Sequence, residues 1–243
     1  MAEEPSTKRH HGEMSDKSCD LDDVHVPGEK RMYTRTLEGV ELHGKEMLEI
    51  VCTSEPDKAD EMITKLRRKA GGSHRKIVGL AFLQLCMEEF FLVYHIATAT
   101  KWTKRLNEML KHEKLFTFVG FSIERDKEKM KISGLPMINP NKYVDIQRFW
   151  RVPYTGKEYD SLTDVAASII HPFYKGMKKN IDTQEDHKLW MISPLPDKLI
   201  DYAGKDAYAT YKSWNMIDNI TNGREMAKVR EVDHYNDRPF RPF

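Results

Sequence analysis

The sequence predicts an α/β domain built on one central sheet. Two observations carry this expectation. Short runs rich in β-branched and apolar residues recur at 46–53, 76–86, 90–96 and 115–121. Between and after them lie segments whose apolar residues repeat with helical spacing. Mixed strands and helices in one chain of 243 residues suit a single sheet covered by helices. Hydrophobic residues at 40% and charged residues at 32% are enough to form a core with a solvated surface.

Residues 1–30 are polar and nearly free of large apolar side chains, so a disordered tail is expected there. A folded domain is expected over 31–222 and a flexible tail over 223–243. EMLEIVCT (46–53) reads as a strand. SEPDKADEMITKLRRK reads as a helix with Ser54 as cap, Pro56 in the first turn, and Met62, Ile63 and Leu66 as its apolar stripe. Its acids come first and its bases last, as the helix dipole prefers. RKIVGLAFLQLC (75–86) contains no turn signal, so Lys76–Cys86 is expected to run as one strand, with Gly79 at a bend. A turn near Met87–Glu89 leads to the strand FFLVYHI. KWTKRLNEMLKH is helical, LFTFVGF is a buried strand and SIERDKEKMKIS is a helix. INPNKYVDIQRFW begins with turn chemistry and ends in a short apolar segment. SLTDVAASII is a helix capped by Ser161 and stopped by Pro172, and residues 196–220 form a long helix after Pro194 and Pro196.

Composition excludes several classes. A net charge of +1 gives no global pull toward nucleic acid or membrane, so any basic face must be local. Cys19, Cys52 and Cys86 are odd in number and widely spaced, which suggests neither a disulfide framework nor a zinc site. The start MAEEPSTKRHH has no apolar leader and the chain has no run of 18 apolar residues. A nuclear or cytoplasmic protein with no membrane partner is expected, not a secreted one. GVELHGK (39–45) nearly spells a phosphate loop, but Glu46 stands where a hydroxyl would hold Mg²⁺.

Two constellations point to chemistry. Tyr202 and Asp206 are spaced i and i+4, so they share one helix face, flanked by the small Ala203 and Ala207. A carboxylate there can hold a hard cation and a phenol can orient water. In FTFVGFSIERDKEKM, an apolar strand reaches Gly120 and delivers Asp126 to the first turns of the next helix. Open α/β sheets bind ligands beyond the carboxyl ends of their strands.

FVGFSIERDKEKM, then Trp190 with SPLPDKLIDYAGKDAYATYKSW, resembles the second and third motifs of the DEDD 3′–5′ exonucleases. The likeness is to the subgroup with a catalytic Tyr, which includes RNase D and the Werner-syndrome exonuclease domain, and within it to plant members. It spans about Glu46 to Gly223. The resemblance implies an RNase H-like mixed sheet flanked by helices, two divalent ions (Mg²⁺ or Mn²⁺), and hydrolysis of 3′-terminal phosphodiester bonds in single-stranded DNA or RNA. It also implies Asp126 and Asp206 as metal ligands and Tyr202 as the phenol that orients the attacking water.

The family's first motif, an Asp-x-Glu pair after a strand like IVGL, is missing. The chain continues Ala81, Phe82, Leu83, so the sheet is expected to be shortened at its first hairpin and the activity crippled. Glu88 and Glu89 are the nearest acids, at the far end of a strand some 30 Å long. Lys175, Lys178 and Lys179 beside Tyr174 and Phe173 form a candidate nucleic-acid contact, as do Arg67, Arg68, Lys69, Arg75 and Lys76. The alternative is a non-catalytic interaction module on the same fold, acting through a protein partner.

Overall fold

The computed structural model describes residues 32–236 apart from 45–46, 70–75, 82–83, 89, 112–114, 133–142, 179–180 and 182–187. Its core is a seven-stranded sheet in the order β1-β2-β5-β4-β3-β6-β7. The strands are β1 (Thr34–Glu41), β2 (Met47–Thr53), β3 (Lys76–Ala81), β4 (Gln84–Met87), β5 (Phe90–Tyr94), β6 (Phe116–Gly120) and β7 (Tyr143–Asp145). The helices are α1 (Pro56–Lys69), α2 (Lys104–Lys111), α3 (Glu124–Ile132), α4 (Ile146–Phe149), α5 (Leu162–Ile169) and α6 (Asp197–Asn236). β3, β4 and β5 form an antiparallel meander, and β6 and β7 lie parallel to β3. The sheet is therefore mixed, and helices flank it. β2 adds parallel to β5 and β1 closes that edge antiparallel, with a bulge near Gly39, whose φ is +66°.

Alternation along the strands gives the sheet two apolar faces. Val51, Val78, Leu85, Leu92 and Phe118 meet α1, α2 and Met130 of α3 on one face. Ile50, Cys52, Cys86, Phe91 and Val93 meet α5 and α6 on the other. α6 crosses that second face with almost no space beneath it. A Cβ on Gly79 would lie 2.6 Å from the Ala207 carbonyl oxygen, and one on Gly204 would lie 2.1 Å from Ile50 Cδ1. Only hydrogen at both positions allows the helix so close.

The expected single strand over Lys76–Cys86 is corrected. The chain reverses within it, and Ala81 pairs with Gln84 across only residues 82–83. A two-residue connection is the tightest ordinary antiparallel hairpin. Here the register keeps Leu80 opposite Leu85 and Gly79 opposite Cys86, and lets β4 pair with β5 as well. Ser54 lies one residue before the cap position of α1, which begins at Pro56, and its Oγ accepts the Tyr33 N–H at 2.9 Å. Ser161 caps α5 as expected, accepting from Asp164 N–H. β1 was not expected; its Thr, Glu and Gly content hides an edge strand. α6 continues to Asn236, past the expected boundary at 222. The expected tail over 1–30 lies outside the described residues. Among the described residues no helix is long and apolar enough to cross a membrane.

Candidate active site at the carboxyl edge of the sheet

β2, β5, β3, β6 and β7 all point the same way, so Thr53, Tyr94, Ala81, Gly120 and Asp145 mark one edge. Asp126 enters from α3, just beyond β6. Asp206 enters from α6, one turn after Tyr202. The Asp126 charge acts on Asp206.

Asp206 is poorly solvated and poorly paired. Burial, opposed by the Lys178 ammonium and aided by the Asp126 charge, pushes its carboxyl up to about 6. Its Oδ1 is buried with no hydrogen-bond partner. Burial also raises Asp126, with Lys129 opposing and Asp145 adding to the rise. Asp145, which the sequence reading did not single out, completes a row of three acids. Its carboxylate is already engaged: Oδ1 accepts from the N–H groups of Ser122 at 2.9 Å and Gln147 at 3.0 Å, and Oδ2 from Ile123 at 3.2 Å. It caps α4 and ties the β6–α3 turn to β7. An Asp just before the apolar IQRF was the sequence signal for that cap.

β3 ends at this edge in Ala81. Its partner Gln84 stands in the row Ala81–Gln84–Val93, on the face toward α6, and Gln84 Oε1 is another buried atom without a partner. Glu88, the acid nearest in sequence, sits in the β4–β5 turn at the opposite end of the sheet, with φ +55°. Glu89 lies outside the described residues.

Two divalent ions need several negative ligands converging within a few Å. Among the described residues no group of three or more His, Cys, Asp or Glu side chains could hold an ion. Asp126 and Asp206 remain as available carboxylates, since Asp145 is committed to backbone amides. Among the described residues the donor set does not fit a two-ion centre.

The other predicted contacts divide. Lys178 faces Asp206. Lys175 is ion-paired with Asp164 of α5. Lys179 lies outside the described residues. Tyr174 was expected to stack on a base, and that expectation is corrected: the ring is fully buried and its hydroxyl meets His43 Nδ1 at 2.7 Å. Phe173, 39% exposed, is the open aromatic of that segment. In the first basic cluster Arg67 bonds Glu108, and residues 70–75 lie outside the described ones.

Trp190 borders the site, its ring 6.4 Å from that of Tyr202 at an interplanar angle of 66°. Behind it stands a polar cluster that sequence reasoning missed, centred on Tyr33 and His95. Nothing in the local sequence signals it, because its members are 62 residues apart.

No protein-family model matches the chain, and no curated protein sequence matches it. Solved structures similar to it include Trypanosoma brucei RNase D in complex with GMP, at 18% identity and TM-score 0.48, covering 65% of this chain and 54% of that one. Another is the Aedes aegypti Nibbler EXO domain, at 15% identity and TM-score 0.49, covering 70% and 88%. A third is the EXD2 exonuclease domain soaked in Mg and GMP, at 15% identity and TM-score 0.33, covering 79% and 99%. The chain spans about half the length of the trypanosomal structure.

Proposed function

We propose that this protein binds single-stranded DNA or RNA at the carboxyl edge of its sheet, as a Tyr-type DEDD 3′–5′ exonuclease relative whose hydrolysis is crippled. One observation carries the reading. Asp206 is held buried, with an unpartnered oxygen, beside Asp126 and Lys178 at the edge where such sheets bind ligands. A carboxylate that only served the fold would be paired or solvated. The resemblance of the Tyr202–Asp206 segment to the family's last motif supports the same site. The missing Asp-x-Glu pair supports the loss of turnover, because two carboxylates cannot balance two dications. Mg²⁺ or Mn²⁺ would at most be held singly and weakly by Asp126 and Asp206.

The test pairs a 3′-degradation assay with fluorescence anisotropy, using 5′-labelled DNA and RNA single strands in Mg²⁺ or Mn²⁺. Binding without laddering is the expected result. Laddering that disappears in Asp206→Ala would mean a working centre survives. Absence of binding by the folded protein would remove the nucleic-acid reading and favour a module that acts through a protein partner.

A further inference from the structure

The polar cluster behind Trp190 has a defined hydrogen-bond direction. His95 follows β5 and is 6% exposed. Its Nε2 lies 2.7 Å from the Trp190 carbonyl oxygen, which can only accept, so Nε2 carries the proton. Burial holds the ring below its ordinary basicity, so it is neutral and Nδ1 is an acceptor. The Tyr33 hydroxyl, 2.8 Å from Nδ1, therefore donates to it. The same Tyr33 oxygen accepts the Leu195 N–H at 3.0 Å. Arg35 donates to the Leu195 carbonyl at 3.2 Å and pairs with Asp197 at 2.9 Å. Side chains from β1 and the end of β5 thus grip both ends of the segment Trp190–Leu195. That segment leads directly into α6, which carries Tyr202 and Asp206.

We infer that His95 and Tyr33 are positioning residues that lock Trp190 against Tyr202, so that the two partly buried rings form a stacking wall for single-stranded nucleic acid. The ligand class rests on the function proposed above; the lock itself does not. Indole and phenol offer π surfaces that unpaired bases can use and that bases stacked in a duplex cannot reach. Lys178, on the Asp206 side of the site, supplies positive charge for a phosphate. Neither His95 nor Tyr33 touches the strand. They act through the backbone of Trp190 and Leu195, and their loss moves the wall without removing a charge contact.

The test uses the full chain and a labelled 12-nucleotide oligo-dT. Tyr33→Phe deletes one oxygen, His95→Phe deletes the imidazole's contacts with Trp190, Tyr33 and Thr98, and His95→Gln keeps an N–H for the Trp190 carbonyl. Acrylamide quenching is assigned to Trp190 by subtracting a Trp190→Phe counterpart of each protein. Tyr33→Phe and His95→Phe should at least double Trp190 quenching. They should weaken oligo-dT binding about tenfold with the same dependence of log K on log salt, since no phosphate contact is lost. His95→Gln should recover most of the affinity. If His95→Phe does not unfold cooperatively, Tyr33→Phe decides alone. Unchanged quenching in a folded Tyr33→Phe overturns the lock. A flatter salt dependence would make these residues phosphate contacts and overturn their positioning role. If the unmutated protein binds no strand, the nucleic-acid reading falls while quenching still decides the lock.

Discussion

The carboxyl edge of the sheet has two halves that were finished differently. Over β1, β2 and β5, polar groups meet partners: Tyr33 with His95 and Leu195, Ser54 with the Tyr33 N–H, Thr53 with Thr34. Over β3, β4, β6 and β7, Asp206 Oδ1 and Gln84 Oε1 are buried without partners, and burial raises both Asp206 and Asp126. Interiors normally satisfy such groups, at a cost of about 1–3 kcal/mol for each one left over. The satisfied half is scaffold. The unsatisfied half is where the fold has tolerated instability, which is the mark of a site.

Both halves hang on α6, and the largest expected effect comes from prising it off. In Gly79→Ala the new methyl would meet the Ala207 carbonyl 2.6 Å away, with the Tyr211 backbone nitrogen and Cβ at 3.0 Å, so the helix itself must move. A loss on the order of 3 kcal/mol in urea unfolding is expected. Gly204→Ala meets only the end of Ile50, on the satisfied half. Its loss should be smaller and partly recovered by adding Ile50→Val. Equal losses from the two glycines, with no recovery, would break the distinction between a helix held by backbone contact and one held by side-chain fit.

That distinction also shows what could be read from the sequence. The strands β2, β5 and β6, the helices α1, α2, α3, α5 and α6, and the Tyr202–Asp206 spacing were legible because each depends on residues within a few positions of one another. β1 was missed because an edge strand needs no apolar alternation on its open side, and TRTLEGVE shows none. The β3–β4 hairpin was missed because its reversal is stabilised by pairing with β5 and by the closeness of α6, neither of which is local. Tyr174 was misplaced for the same reason. The run HPFYKGMKK looks like a basic, aromatic surface, and only the packing of α5 and α6 shows that the ring points inward. His95 and Tyr33 carry no local sign of their partnership.

A middle-sized effect should appear at Asp206. A carboxyl that ionises near 6 in the fold instead of near its ordinary 3.8 favours the folded state when protonated. That contribution is fully present below about pH 4 and is lost as pH rises through about 6. At neutral pH the ionised group costs the fold up to about 3 kcal/mol. Asp206→Asn should therefore raise stability at pH 7.5 by about 1–2 kcal/mol, the residue being smaller than the full cost because a buried amide also needs partners. The gain should vanish near pH 4. Urea midpoints across pH 4–8 measure it, and a destabilised Asn variant at neutral pH would place Asp206 among the satisfied groups. Adding Mg²⁺ sharpens the test: an ion held by Asp206 would stabilise the unmutated protein and not the variant.

The smallest effect separates two lysines that look equivalent in sequence. Lys175 already has Asp164 as a partner, whereas Lys178 contributes its charge to the Asp206 site. A strand entering that site meets the Lys178 ammonium, whose charge acts on Asp206. A strand recruiting Lys175 must first displace a carboxylate. Lys178→Ala should therefore weaken oligonucleotide binding severalfold and reduce the salt slope by about 0.7, the value for one contact on a single strand. Lys175→Ala should leave both nearly unchanged. Anisotropy titrations between 50 and 200 mM salt, on the order of the range where such slopes are read, decide it. A larger effect at Lys175 would move the docking face from the acid half of the edge to the outer side of α5.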